Sequence, residues 1–257
     1  NLNSRGIFIT RISLSDSRNI HELTNLTLNS ITNDQYSKMT IVEVDFIVAK
    51  PIEIKVDGDA NNIVYGSSKY VAVGSGNNTI ATTSDGITWT GLGTTVLKFR
   101  VNGVSYGNGL WVAGGSGTGT FNSIAYSSNG TQWIGLGSTI FSTQGYGITY
   151  NGVNRWVACG SGTNTLAYSS NGTQWIGLGV TIFSTKGNSV AYNGVDRWVA
   201  VGQGTTNTIA YSSDGITWTG IGTSILTAGF GLSWNGTRFV AVGQGTHSIV
   251  YSSDGIN

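Results

Sequence analysis

One eight-residue phrase recurs along most of this chain. It reads TTSDGITW at 82–89, YSSNGTQW at 126–133 and 168–175, YSSDGITW at 211–218, and a shortened YSSDGIN at 251–257. Its glycine falls at 86, 130, 172, 215 and 255, so the copies stand 44, 42, 43 and 40 residues apart. Periods of this size belong to solenoids and propellers, in which each unit buries its apolar face only by packing on the next.

Stacking the copies gives four short segments per unit. In the fourth unit they are SVAY, RWVAV, TIAYSS and ITWTG, and the other units carry close variants of each. Alternation and β-branched or aromatic content predict a strand in every segment. The first two are joined by NG plus up to two residues, and the last two by DG or NG alone, a strong hairpin signal. Each unit is therefore expected to be a four-stranded antiparallel meander, and nothing in 59–257 has helical periodicity. The expected fold is an all-β propeller with five blades near 60–93, 101–137, 146–179, 188–222 and 229–257. A β-helix has shorter coils than this period. Thirty-nine glycines against a single proline suit many short strands and tight turns.

The pattern Ser-x-Asp-Gly-x-Thr-Trp resembles the Asp-box (BNR) repeat of sialidase-like propellers, and the resemblance covers 62–257. It departs from that family in spacing, because the usual box carries an extra residue between Asp and Gly, and two copies here use Asn. The repeat wording is also similar to that of proteins from large DNA viruses and phages. That resemblance implies a place on a virion or an extracellular surface.

The fifth copy breaks off where its fourth strand is expected. Two readings fit: a fragment of a larger ring, or a ring completed from the other end. Fourth-strand tryptophans precede the next closing aromatic by 16 or 17 residues, and counting back 17 from Tyr65 lands on Val48, inside the strand-like run IVEVDFIVAK. Residues 41–50 are thus expected to close the ring, which would remove an exposed sheet edge. Residues 1–40 form a small separate segment, expected to attach the propeller to something larger. Only Gly6 and Gly58 of the 39 glycines precede residue 59, as do all three glutamates.

Several residues invite a chemical reading. Asp85, Asn129, Asn171, Asp214 and Asp254 occupy the first turn position of the box, where positive φ is tolerated and the side chain bonds local backbone. Because Asp and Asn exchange freely there, ionisation is not needed. Trp89, Trp133, Trp175 and Trp218 on the fourth strands are expected to pack between blades rather than to stack sugars. Arg155, Arg197 and Arg238 share one repeat position, so they are not expected to converge as a sialidase arginine triad would. No glutamate lies in 54–257, which removes the paired carboxylates of a glycosidase.

The segment DGDAN at 57–61 starts like a calcium loop but lacks the closing acid. Cys159 aligns with valines and reads as a buried small side chain, and its being the single cysteine rules out an intrachain disulfide. With 10% charged residues and a net charge of +1, the chain has no field for nucleic acid or anionic membranes. No apolar run approaches a membrane span.

What remains is one face of polar loops, with Asn78, Asn164, Gln203, Asn207, Gln244 and His247 as candidate ligand contacts. This face offers hydrogen bonds without charge, which suits a protein partner or a neutral glycan. The sequence thus implies a non-enzymatic recognition or assembly propeller needing no metal or cofactor. The alternatives are a lectin-like propeller and, less suited for want of glutamate, a sialidase-like hydrolase.

Overall fold

The computed structural model describes residues 58–257. Residues 1–57, and with them the attachment segment 1–40 and the closing strand 41–50, lie outside the described residues. Among the described residues every regular element is a strand. Blade 1 holds β1 (Ala60–Gly66), β2 (Lys69–Gly74), β3 (Ile80–Thr83) and β4 (Thr90–Gly91). Blade 2 holds β5 (Val101–Gly107), β6 (Leu110–Gly115), β7 (Ile124–Ser127) and β8 (Ile134–Gly135). Blade 3 holds β9 (Gln144–Tyr150), β10 (Trp156–Ser161), β11 (Leu166–Ser169) and β12 (Ile176–Gly177). Blade 4 holds β13 (Lys186–Tyr192), β14 (Trp198–Gln203), β15 (Ile209–Ser212) and β16 (Thr219–Gly222), and blade 5 holds β17 (Ala228–Trp234), β18 (Phe239–Gln244) and β19 (Ile249–Ser252). Every blade is an antiparallel meander in chain order, and the molecule is a β-propeller.

The first strands form the inner layer, β1 packing on β5, β5 on β9, β9 on β13 and β13 on β17. Single bridges stitch the sheets together: Ser75 with Arg100, Ser116 with Gln144, and Ser161 with Lys186. Each first strand carries a bulge, which places one extra residue opposite its partner. Bulges increase twist and aim a side chain away from the ladder.

The core is distributed over the joints between blades. Among the described residues there are four apolar clusters, one for each pair of successive blades. Each is plugged by a fully buried residue from the linker between blades: Leu97, Phe141, Phe183 or Leu226. Trp111, Trp156 and Trp198 on the second strands are also fully buried. Each is stacked at 4.6–4.8 Å on the aromatic that closes its own first strand. An apolar face too small to bury itself within one blade is thus covered by the next.

Two sequence expectations need correcting. The turn between third and fourth strands is not two residues but six, 84–89 in blade 1 and 128–133 in blade 2. The tryptophans consequently precede the outer strands rather than lying in them.

Candidate functional site

The long turn follows from how its side chains are spent. In blade 2, Ser127 Oγ accepts the amides of Asn129 and Gly130 at 3.3 and 2.8 Å. Asn129 Oδ1 accepts those of Thr131 and Gln132 at 2.9 and 2.8 Å. Asp214 does the same for Ile216 and Thr217 at 2.8 and 2.7 Å, and Asp85, Asn171 and Asp254 repeat the pattern. The positive φ is carried by the following glycine, +74° at Gly86 and +73° at Gly215. The Asp or Asn itself keeps an ordinary φ, so it acts as an acceptor for backbone amides rather than as the left-handed residue.

These bonds favour the ionised carboxylate. At Asp85 the Thr83 hydroxyl, then the Ile87 and Thr88 amides, hold the pKa far below the usual range. At Asp254 the amides of Asn257 and Ile256 do the same. At Asp214 burial pushes upward, but the Thr217 and Ile216 amides and the Ser212 hydroxyl outweigh it and leave the pKa lowered. A depressed folded pKa contributes stability that is present above the unfolded value, near 3.8, and lost as pH falls through the folded value. Acid unfolding is therefore expected to set in below about pH 4. An Asp85→Asn, Asp214→Asn, Asp254→Asn triple variant should flatten that limb, as monitored by circular dichroism against pH. At neutral pH Asp214→Asn should be near-neutral, whereas Asp214→Ala, which gives up two exposed amide bonds to water, should cost about 1 kcal/mol.

The four box tryptophans are half-buried. Trp133, Trp175 and Trp218 pack on three of the four clusters, and Trp89, in blade 1, belongs to none. The Trp133 and Trp175 indoles donate to the Gly130 and Gly172 carbonyls at 3.3 and 3.0 Å. Arg155, Arg197 and Arg238 each lie over a tyrosine of their own blade, Tyr168, Tyr211 and Tyr251, at 5.1, 5.4 and 4.8 Å. Three parallel stacks of this kind do not make an anion clamp. Burial raises the pKa of Cys159, which is fully buried.

The loop-face amides are largely occupied by the chain itself. Asn78 Oδ1 accepts the Gly93 amide at 2.8 Å. Asn164 accepts from Gly179 at 2.7 Å and donates to the Ile140 carbonyl at 2.7 Å. Asn207 accepts from Gly222 at 3.0 Å and donates to Ile182 at 3.3 Å. Asn122, which the sequence reading did not single out, does the same with Gly137 and Val96. A Cβ on Gly91, Gly135, Gly177 or Gly220 would come within 2.1–2.3 Å of these amides, so the outer-strand glycine and the loop Asn form one device. His247 takes the Asn position in blade 5 and is exposed, Gln244 is exposed and Gln203 half-buried.

The other polar concavity is axial. A cavity of about 460 Å³ is lined by all five first strands. The bulge position in each contributes Asn61, Asn102, Tyr146, Asn188 or Phe230. Three of these clasp the next blade: Asn61 to the Val101 carbonyl at 2.8 Å, Asn102 to Gly145 at 2.9 Å, and Asn188 to Gly229 at 2.6 Å. Tyr146 instead donates to Gln144 at 2.5 Å, and Phe230 is 46% exposed. No carboxylate, lysine or arginine lines the cavity. The five described carboxylates are the three box aspartates, Asp59 (3.7 Å from Arg100) and Asp196 (bonded by Asn193). Among the described residues no group of three or more His, Cys, Asp or Glu could hold a metal, and no helix is long and apolar enough to cross a membrane.

No protein-family model and no curated protein matches the chain. Solved structures do. The GH74 enzyme of Niastella koreensis aligns at 19% identity and TM-score 0.52, over 76% of this chain and 29% of its own. A nidogen/laminin complex chain aligns at 15% and 0.57, over 77% and 76%. YCF48 bound to a D1 peptide aligns at 17% and 0.52, over 76% and 64%. The chain thus spans under a third of the first of these proteins. At such identities the likeness establishes the propeller fold and nothing finer.

Proposed function

We propose that this propeller is a non-enzymatic recognition module whose axial cavity and surrounding loops bind an uncharged, hydrogen-bonding segment of a protein partner. The observation that carries this reading is the cavity lining: amides, hydroxyls, aliphatic side chains and two aromatic rings, with no charged residue among them, the nearest cations being Lys186 at 5.4 Å over the Tyr146 ring and Arg100, which bonds Asn61 from behind. Such a surface can bind a neutral ligand but offers nothing to move a proton or stabilise a developing charge. Likeness to a nidogen/laminin chain and to YCF48 with a bound peptide supports protein contact, while the GH74 enzyme is a reminder that the fold also hosts hydrolases.

A neutral glycan is the second reading, favoured by Tyr146 and Phe230, whose rings stand where three other blades use Asn. The phrasing of the repeats supports placing the module on a virion, phage or other surface structure, with residues 1–40 as its attachment. Co-purification with a particle tests that placement.

For the binding site the test is a Tyr146→Ala, Phe230→Ala double variant. Neither residue belongs to an apolar cluster, so the fold should be retained. Binding to peptide or glycan arrays should fall at least about tenfold, the loss of one aromatic contact or more. Unchanged binding by the variant would remove the cavity from the reading. Binding to glycans alone would select the lectin.

A further inference from the structure

The linker between blades 1 and 2 departs from the next two in one place. Where those carry Ser142 and Thr143, or Ser184 and Thr185, the first linker carries Lys98 and Phe99. The loop beside it departs as well. Five residues separate Ser116 from Asn122, against two between Ser161 and Asn164 and two between Ser75 and Asn78, and the extra length ends in Phe121.

At the second and third joints the serine has a structural task. Ser142 and Ser184 accept the amides of Thr163 and Thr205, each at 3.0 Å, and so fasten the loop of the following blade. The longer loop of blade 2 is fastened elsewhere, by Ser138, which donates to the Gly119 carbonyl at 2.9 Å. Phe99 and Phe121 meet edge to face, with ring centres 5.2 Å apart and planes at 86°. The Lys98 ammonium stands 4.3 Å from the centre of the Phe121 ring and 5.6 Å from that of Phe99. Phe99 is nonetheless 49% exposed, and Lys98 and Arg100 on either side of it are exposed too. Two other joints close with Ser and Thr in these places, so packing of the blades does not require an aromatic ring and a cation here.

We propose that Lys98, Phe99, Arg100 and Phe121 form a docking site for an acidic segment of a protein partner, which sets a carboxylate on Lys98 and an apolar side chain on Phe99. Charge decides the kind of partner. Among the described residues no carboxylate lies in ion-pair range of Lys98, and Arg100 pairs with Asp59 alone, at 3.7 Å and in contact with solvent. An exposed aromatic anchor flanked by cations is the make-up of a protein hot spot, and cations left open set the sign of what docks. A sugar is less well served: Lys98 stands over the Phe121 ring and the two rings are at right angles, so no parallel pair of ring faces is offered for stacking. The site does not rest on the axial cavity, whose lining includes none of these four residues. The two are neighbours, because Arg100 donates to Asn61 Oδ1 at 2.8 Å and Asn61 lines the cavity.

The test applies the full chain to an array of random peptides, at low salt and again at several times that ionic strength. Bound peptides are expected to be enriched in Asp or Glu next to Phe, Leu or Trp, and to bind less at the higher salt. A Lys98→Ser, Phe99→Thr, Phe121→Thr variant installs the residues found at the next joint, Ser142, Thr143 and Thr163, so its fold should be retained. Its affinity for the selected acidic peptides should fall at least about tenfold. Lys98→Glu, a change of one exposed side chain, should cause a loss of the same order, and Lys98→Arg should restore binding. The Tyr146→Ala, Phe230→Ala variant should bind these peptides as the unmodified protein does. Absence of acidic enrichment, or undiminished binding by both the triple variant and Lys98→Glu, overturns the site. Loss confined to the Tyr146→Ala, Phe230→Ala variant moves the peptides to the axial cavity and overturns it equally. Binding to sialylated glycans and to no peptide overturns the protein partner.

Discussion

Replacing Phe183 by alanine is expected to cost about 3–5 kcal/mol, the range for removing a fully buried large side chain. Phe183 sits in the linker between blades 3 and 4, has no exposed surface, and plugs the cluster of Val157, Cys159, Leu166 and Trp198. Its ring lies over the second strand of blade 4, where a Cβ on Gly202 would come within 2.9 Å of it. The hole left behind cannot readily collapse, because the walls are two sheets held apart by their own ladders. Phe141 occupies the same place one blade earlier, and its alanine variant should lose a comparable amount. Val195, 78% exposed on a hairpin, is the contrast: Val195→Ala should stay within about 0.5 kcal/mol. Denaturant unfolding read by tryptophan fluorescence measures all three. A loss below about 1 kcal/mol for Phe183→Ala would mean that the joint is not the seat of stability argued above.

Phe141 and Phe183 also show where sequence reading stopped. The strands, their antiparallel order and the propeller were legible because period-2 alternation and a 40–44-residue repeat are local or periodic signals. Phe141 and Phe183, each in a TIFST stretch of an otherwise polar linker, carry no signal of their own, because a single Ile-Phe pair among Ser and Thr has no periodicity. Their burial depends on the neighbouring blade. The loop Asn residues were misleading for a related reason. Asn164 looks free in a polar loop, yet its partners are Gly179, 15 residues on, and Ile140, 24 residues back. The axial bulge residues were invisible because Asn, Tyr and Phe alternate there without a shared residue type, and only strand register reveals the common position. The turn was half legible: Asp and Asn are interchangeable acceptors, but the six-residue span follows from four amide bonds that no hairpin dipeptide announces.

At Gly103→Ala the expected loss is about 1–3 kcal/mol, and the cause is steric rather than conformational. Gly103 is not among the glycines with positive φ, so alanine suits its backbone. The obstacle is the neighbouring blade: a Cβ there would stand 2.3 Å from the Tyr146 carbonyl oxygen, a backbone atom that cannot swing aside. Relief requires β5 and β9 to separate, which would stretch the 2.9 Å clasp from Asn102 to the Gly145 carbonyl. The repeat supplies its own comparison, because Ser189 occupies the equivalent place on β13 and bonds the Leu232 carbonyl at 3.4 Å. A side chain is thus accommodated at one joint of the inner ring, whereas at another an added Cβ would meet a backbone oxygen. Gly103→Ala should destabilise the fold, whereas Ser189→Ala should change it by less than about 1 kcal/mol, the worth of one long hydrogen bond. If both substitutions are tolerated equally, the inner ring adjusts freely and the 2.3 Å approach does not constrain it. If Gly103→Ala alone is costly, close backbone contact between β5 and β9 helps fix the width of the cavity that the recognition reading relies on.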